Sequence, residues 1–391
     1  MSSRHLSTLI LPIVVIGVLN GCVSSPTPSI SHSDPTITKT HPAEPQTPIL
    51  PSTTVRREPT PTFEPFSLQL SDFGPFFIGK RYYDFEDSSR NHRQVRLSVW
   101  YPAIKPPEYD DAFLVDGEPD HTDAPYPLIL SSAKVAGIFA PHLVTHGFVI
   151  VGIRDIDTWD VWDQEMIDQP LDILFALDQI STSPLEGLDG LIDVNRAGAM
   201  GYSFDGYNSL ELSGARIDPE FFLSRCGNAE LIEESFRNFS RRWQCPLIDQ
   251  WDEFVDNAGS TITNSNNGLW QPMTDERIRA VMPMATEGWL LFGEKGLAAV
   301  DKPVLIIVGG NDVYYEENLL IYEHLSSPDK FLITFVGQGH MMIYNREQTA
   351  HMKHFATAFF GHFLQGREDY KTYYSEQFIL DYPALSWAGS N

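Results

Sequence analysis

The stretch MGYSFDGYNS, residues 200–209, decides how this chain is read. A serine set among small residues, after an apolar run and before a helical pattern, marks a sharp strand-to-helix turn. Such a turn lifts the hydroxyl to the edge of a sheet, and its signature is G-x-S-x-G. The match here is imperfect. Gly201 stands two before Ser203, but Asp205 takes the second glycine's place and the glycine arrives one later, at Gly206. Ser203 is therefore either a nucleophile on such an elbow or an ordinary helix N-cap, and the flanking sequence must decide.

Working outward, RAGAMGYS (196–203) reads as the strand leading into the elbow. GPFFIGKRYYDF (74–85) and RQVRLSVWYPA (93–103) flank the polar turn EDSSRNH and predict an antiparallel hairpin. YPLILSS (126–132), FVIVGIRD (148–155), KPVLIIVGGND (302–312) and FLITFVGQGH (331–340) are further apolar strand runs. Between and after them, AGIFAPHLVTHG (136–147), QPLDILFALDQIS (169–181) and TAHMKHFATAFFGHFL (349–364) carry helical spacing. Alternating strands and helices predict an α/β domain with a mainly parallel sheet covered on both faces. Sheets of that kind carry their sites at the carboxyl ends of the strands. Ser203, Asp312 and His340 each follow one of these runs, in the order serine, acid, histidine that α/β-hydrolases use. A serine hydroxyl needs a base to take its proton, and the base needs a third group to hold its tautomer. These three residues are the expected catalytic set.

At this point the sequence resembles the plasma-type platelet-activating-factor acetylhydrolase group, serine esterases related to dienelactone hydrolases. The likeness spans most of residues 73–365. It includes the hairpin at 74–103, LVTHGFVIVGI (143–153), DILFALDQI (172–180) and DERIRAVMPM (275–284) before the PVLIIVGGND strand. The resemblance implies an α/β-hydrolase fold, with Ser203 as nucleophile, Asp312 as acid and His340 as base. It implies ester cleavage through an acyl-serine, with a short-acyl or oxidised phospholipid as the substrate and no cofactor. Dienelactone hydrolases proper carry cysteine at the elbow, where this chain has serine. In the resembled pattern a Ser-His-Gly loop supplies one oxyanion donor, and Ala133 and Lys134 stand where His and Gly would be. The donors expected here are the backbone N–H groups of Val135 and Phe204. His146-Gly147 comes one helix too late and reads as a helix stop. Asp205 and Lys134, the two departures, are expected to pair as ions beside the oxyanion hole. An esterase acting on polymers or small xenobiotic esters, or an inactive surface-binding protein, are the competing readings.

Residues 213–272 form an insertion after the elbow, expected to cap the site or simply to pack. Cys226 and Cys245 lie within it and are expected to form a disulfide in an oxidising compartment. His351 and His354 lie three apart on a helix but lack the acidic residue of a zinc motif, so no metal is expected.

That compartment follows from the N-terminus. Arg4 precedes LSTLILPIVVIGVLNGC (6–22), whose end matches a lipoprotein cleavage box with Cys22 as the lipidated residue. Residues 1–21 then form a signal peptide, and 22–65 a Ser/Thr/Pro-rich tether with too little apolar surface to fold. Residues 66–391 form the catalytic domain, held outside the cytoplasm by a membrane anchor. A net charge of −25 over 391 residues excludes a nucleic-acid partner, which would require clustered Lys and Arg.

Overall fold

The computed structural model describes residues 68–154, 161–265 and 267–389. The expected signal peptide, Cys22 and the whole tether lie outside them. Among the described residues no helix is long and apolar enough to cross a membrane.

Strands form on apolar runs such as YPLILSS, VIVGI and VLIIVG and on the more polar, alternating segments that flank them. They are β1 (Phe77–Asp87), β2 (Arg93–Ala103), β3 (Leu114–Val115), β4 (Tyr126–Ser132), β5 (Val149–Ile153), β6 (Ile192–Tyr202), β7 (Ile278–Met284), β8 (Val304–Gly309), β9 (Lys330–Phe335) and β10 (Leu385–Gly389). They make one ten-stranded sheet in the order β10-β9-β8-β7-β6-β4-β5-β2-β1-β3. The six strands from β9 to β5 are parallel. The expected hairpin is the β1–β2 pair, antiparallel from Phe77 opposite Ala103 to Asp87 opposite Arg93. Antiparallel β10 on β9 was not foreseen in the sequence.

Helices cover both faces: α1 (Ala133–Leu143), α2 (Glu165–Thr182), α3 (Phe204–Leu212), α4 (Pro219–Gly227), α5 (Glu234–Trp243), α6 (Trp251–Thr263), α7 (Trp289–Leu297), α8 (Tyr315–His324), α9 (Arg346–Gln365) and α10 (Glu376–Leu380). Because strand side chains alternate, each strand feeds two cores. Leu128, Leu130, Val151, Val281 and Ile306 pack with α2 and α3, while Ile129, Ile150, Met282, Leu305 and Ile307 pack with α1 and α9. The chain is thus an α/β protein with a mostly parallel central sheet.

Strand β4 pairs with β5 on one side and β6 on the other, so the winding reverses there. Crevices at such a reversal are where open α/β sheets bind ligands. The ends of β4 and β6 are Ser132 and Tyr202, and Ser203 follows directly.

The insertion folds as α4, α5, α6 and intervening 3-10 turns, joined by a Cys226–Cys245 disulfide with a Cα–Cα distance of 5.1 Å. Of the two expectations, the structure shows the packing: α4 packs on α7 and α5 on α8, and among the described residues none of the insertion lines the cleft that holds Ser203. The insertion instead supports the loop after β8.

At the start of the described chain, the 3-10 turn Gln69–Ser71 is pinned by two buried histidines. Leu70 N–H donates to His354 Nδ1 at 3.2 Å, and the Leu70 carbonyl lies 2.9 Å from His142 Nε2. Burial, chiefly, pushes both imidazoles down to about 3, so both are neutral. His354 is thereby accounted for as a packing residue.

Candidate active site

Ser203 has φ 61° and ψ −124°, a backbone conformation that residues with a Cβ rarely adopt. Two glycines allow the turn around it. A Cβ on Gly201 would lie 1.9 Å from the Asp205 carbonyl oxygen, and one on Gly206 would lie 2.8 Å from Thr286 Cβ. The close approach of strand and helix therefore needs glycine at 201 and 206 and leaves position 205 open to a side chain. This explains the imperfect motif. The turn places the hydroxyl at the mouth of an open cleft of about 460 Å³.

His340 follows β9 and Asp312 follows β8, so adjacent parallel strands deliver imidazole and carboxylate side by side. His340 Nε2 lies 3.0 Å from Ser203 Oγ, and His340 Nδ1 lies 3.1 Å from both Asp312 oxygens. The Asp312 side chain is fully buried, and its Oδ1 also accepts from Tyr314 N–H at 3.0 Å. The histidine's backbone is held as well, since Tyr202 O–H donates to the His340 carbonyl at 2.5 Å. Such a chain of contacts can carry the serine proton to the imidazole while the carboxylate fixes the ring.

Three features lie outside the sequence reading. Tyr314 packs on the His340 ring with centroids 5.0 Å apart, and Phe239 of the insertion meets Tyr314 edge-on, also at 5.0 Å. Burial, then the carboxylates of Glu287 and Glu317, push the Tyr314 phenol well above its usual range, opposed by a hydrogen-bonding influence of Ser203. Glu287 and Glu317 form a buried pair bridged by Gln244 Nε2, at 3.5 Å and 3.3 Å respectively. Glu287 also accepts from Trp162 Nε1 at 2.8 Å, and Glu317 from Gly288 and Trp289 N–H at 2.9 and 3.0 Å. Burial first raises Glu287 to about 7 and Glu317 to about 8, the latter also by repulsion from Glu287. The His340 charge works the other way on Glu287. A glutamate three residues past the end of a central strand was the available signal for Glu287.

The expected oxyanion donors fare differently. Phe204 N–H opens α3 and has no partner within the helix. Val135 is a correction: its N–H already donates to Ser132 Oγ at 3.3 Å. The reason is that α1 begins immediately after β4, with Ser132 as N-cap, so residue 135 is the third helical position whose N–H the cap captures. Ala133 and Lys134 are the first two residues of α1, and Lys134 lines the cleft.

For Asp205, expected to pair with Lys134, the structure shows three dipolar partners. Asp205 is only 7% exposed. Its Oδ2 accepts from Ser132 N–H at 3.0 Å and Ser131 Oγ at 3.4 Å, and its Oδ1 from Asn208 Nδ2 at 3.3 Å. His146 and Gly147 lie away from the site, with Gly147 in the left-handed region at φ 81° as a helix stop.

No protein-family model matches the chain, and no curated protein matches it either.

Proposed function

We propose that this chain is a serine-dependent carboxylic-ester hydrolase of the α/β-hydrolase fold. The observation that carries the reading is the continuous Ser203–His340–Asp312 contact at the carboxyl edge of the sheet, with Ser203 on a strained turn. His340 Nε2 takes the proton as Ser203 Oγ attacks the ester carbonyl carbon. The carbonyl oxygen becomes an oxyanion facing Phe204 N–H and the first turn of α1. The C–O bond to the alcohol then breaks, and His340 returns the proton to the leaving oxygen. Water, deprotonated by the same imidazole, attacks the acyl-serine, and the acid leaves as Ser203 regains its proton. Asp312 holds Nδ1–H throughout and stabilises the imidazolium. None of these steps calls for a cofactor.

For the substrate we propose a phospholipid ester with a short or oxidised acyl chain. The cleft carries Ile138, Met341 and Tyr344, the last two 61% and 53% exposed, a surface suited to an apolar acyl group. A lipid anchor at Cys22 would hold the enzyme outside the cytoplasm, beside such esters. The test is labelling with a fluorophosphonate, which reacts with an activated serine whatever the natural ester. Wild-type chain should label at Ser203 and Ser203→Ala should not. Lack of labelling in the folded wild type would sink the hydrolase reading. A series of p-nitrophenyl esters of increasing acyl length would then separate a short-acyl preference from a broad esterase.

A further inference from the structure

We propose that Asp205 is a positioning residue that fixes the oxyanion site by tying the end of β4 to the elbow helix; this rests on the hydrolase reading above. In an enzyme of this kind two donors must converge on one oxygen. Phe204 supplies one from the elbow, while the other side of the cleft is the first turn of α1, a separate element on a separate strand. No glycine stands between Ser131 and Ala136, and the chain passes from β4 into α1 with no intervening loop. The aim of the α1 donors therefore depends on where Ser132 is held.

Asp205 holds it. The carboxylate reaches across the β4–β6 boundary and accepts from the Ser132 backbone N–H at 3.0 Å and from Ser131 Oγ at 3.4 Å. Ser132 is in turn the N-cap of α1, with φ −67° and ψ 155°, and its own Oγ takes the Val135 N–H. One carboxylate on the second residue after the nucleophile thus fixes the cap, and the cap fixes the turn. The far side of Asp205 is braced as well: Asn208 Nδ2 donates to its Oδ1 at 3.3 Å and to Gln169 Oε1 on α2 at 3.0 Å. A glycine at 205 would satisfy the elbow's backbone but would leave the Ser132 N–H without this acceptor. The departure from G-x-S-x-G is in this reading a gain of function for the loop.

The test compares the full chain with Asp205→Ala, Asp205→Asn and Asp205→Glu. Steady-state hydrolysis of p-nitrophenyl acetate, the second-order rate of fluorophosphonate labelling and the unfolding midpoint are read for each. Asp205→Ala should lose roughly 10- to 100-fold in kcat with KM nearly unchanged, short of the 10²–10³ that outright removal of an oxyanion donor costs. Labelling should slow in parallel. Asp205→Asn should recover most of the rate, because its Oδ1 can still accept from Ser132 N–H. Its new N–H group can meet Asn208 Oδ1 once that amide turns over, an oxygen that has no hydrogen-bond partner among the described residues. Asp205→Glu keeps the charge but moves it by one methylene, and should be as slow as alanine; the Asn and Glu variants decide the matter even if alanine does not fold. An Asp205→Ala enzyme with a lowered midpoint but wild-type kcat overturns the proposal, as does an active Glu variant beside an inactive Asn one. Absence of labelling in the wild type removes the hydrolase reading and this inference together.

Discussion

Replacing Ser203 by glycine should make the protein more stable than replacing it by alanine. At φ 61° and ψ −124° any Cβ is held in a sparsely populated region, at a cost of about 1–3 kcal/mol. Both substitutions remove the hydroxyl and its 3.0 Å contact with His340, so that loss cancels in the comparison. Glycine alone relieves the backbone strain, because it has no Cβ. Against this stands the larger entropy of glycine in the unfolded chain, roughly 0.5–1 kcal/mol relative to alanine. The difference leaves glycine ahead by about 1 kcal/mol, or about 2 °C in the unfolding midpoint for a domain of this size. Urea titrations under non-reducing conditions, compared at equal m, measure it directly. Neither variant should be labelled by fluorophosphonate. If alanine proves the more stable by about 0.5–1 kcal/mol, as at an unstrained position, the turn stores no strain and the elbow assignment loses its main support.

Stability should have a broad maximum between about pH 4.5 and 6.5 and fall on both sides. His142 and His354, held down to about 3 by burial, must gain protons on unfolding below their ordinary value, so their contribution is lost as pH falls from 6.5 towards 3. Glu287 and Glu317, raised to about 7 and 8, work in the opposite sense: their contribution is present below 4.5 and is lost as pH rises through 7–8. Each group can add a slope of up to about 1.4 kcal/mol per pH unit. Urea midpoints from pH 4 to 9 would show it, and Glu287→Gln with Glu317→Gln should flatten the alkaline limb; an unaltered limb would refute the assignment. The Cys226–Cys245 bridge, with a sequence separation of 19, should contribute roughly 3 kcal/mol by the loop-entropy argument. A Cys226→Ser, Cys245→Ser chain that unfolds at the wild-type midpoint would contradict that.

The elbow was legible in the sequence because three local demands meet there: an apolar strand, a serine, and glycines where backbones nearly touch at 201 and 206. The positions of Asp312 and His340 were legible because each ends a short apolar run. Val135 was misassigned because one residue of helix register decides which N–H the cap consumes, and that register depends on where β4 stops. Asp205 and Lys134 have opposite charges and complementary motif departures, which suggested a pair. What the sequence does not carry is that Ser132, 73 residues upstream of Asp205, presents a backbone donor at the right spot. Glu287 and Glu317 are nearly fully buried, against the usual habit of glutamate. The edge strand β10 spans five residues and buries only Leu385, too little alternation to register as a pattern.

The placing of the insertion has a consequence for how such an enzyme can change over time. Phe239 touches Tyr314, Tyr314 touches His340, and Gln244 reaches the carboxylates behind them. The mouth of the cleft is furnished by other stretches, around residue 138 and at 341–344. If the chain is the hydrolase proposed above, variation in α5 acts on the base and hence on turnover, while variation at the mouth acts on which acyl group enters. Rate and selectivity are written in separate segments of the chain, and drift or laboratory selection can move one while leaving the other where it was.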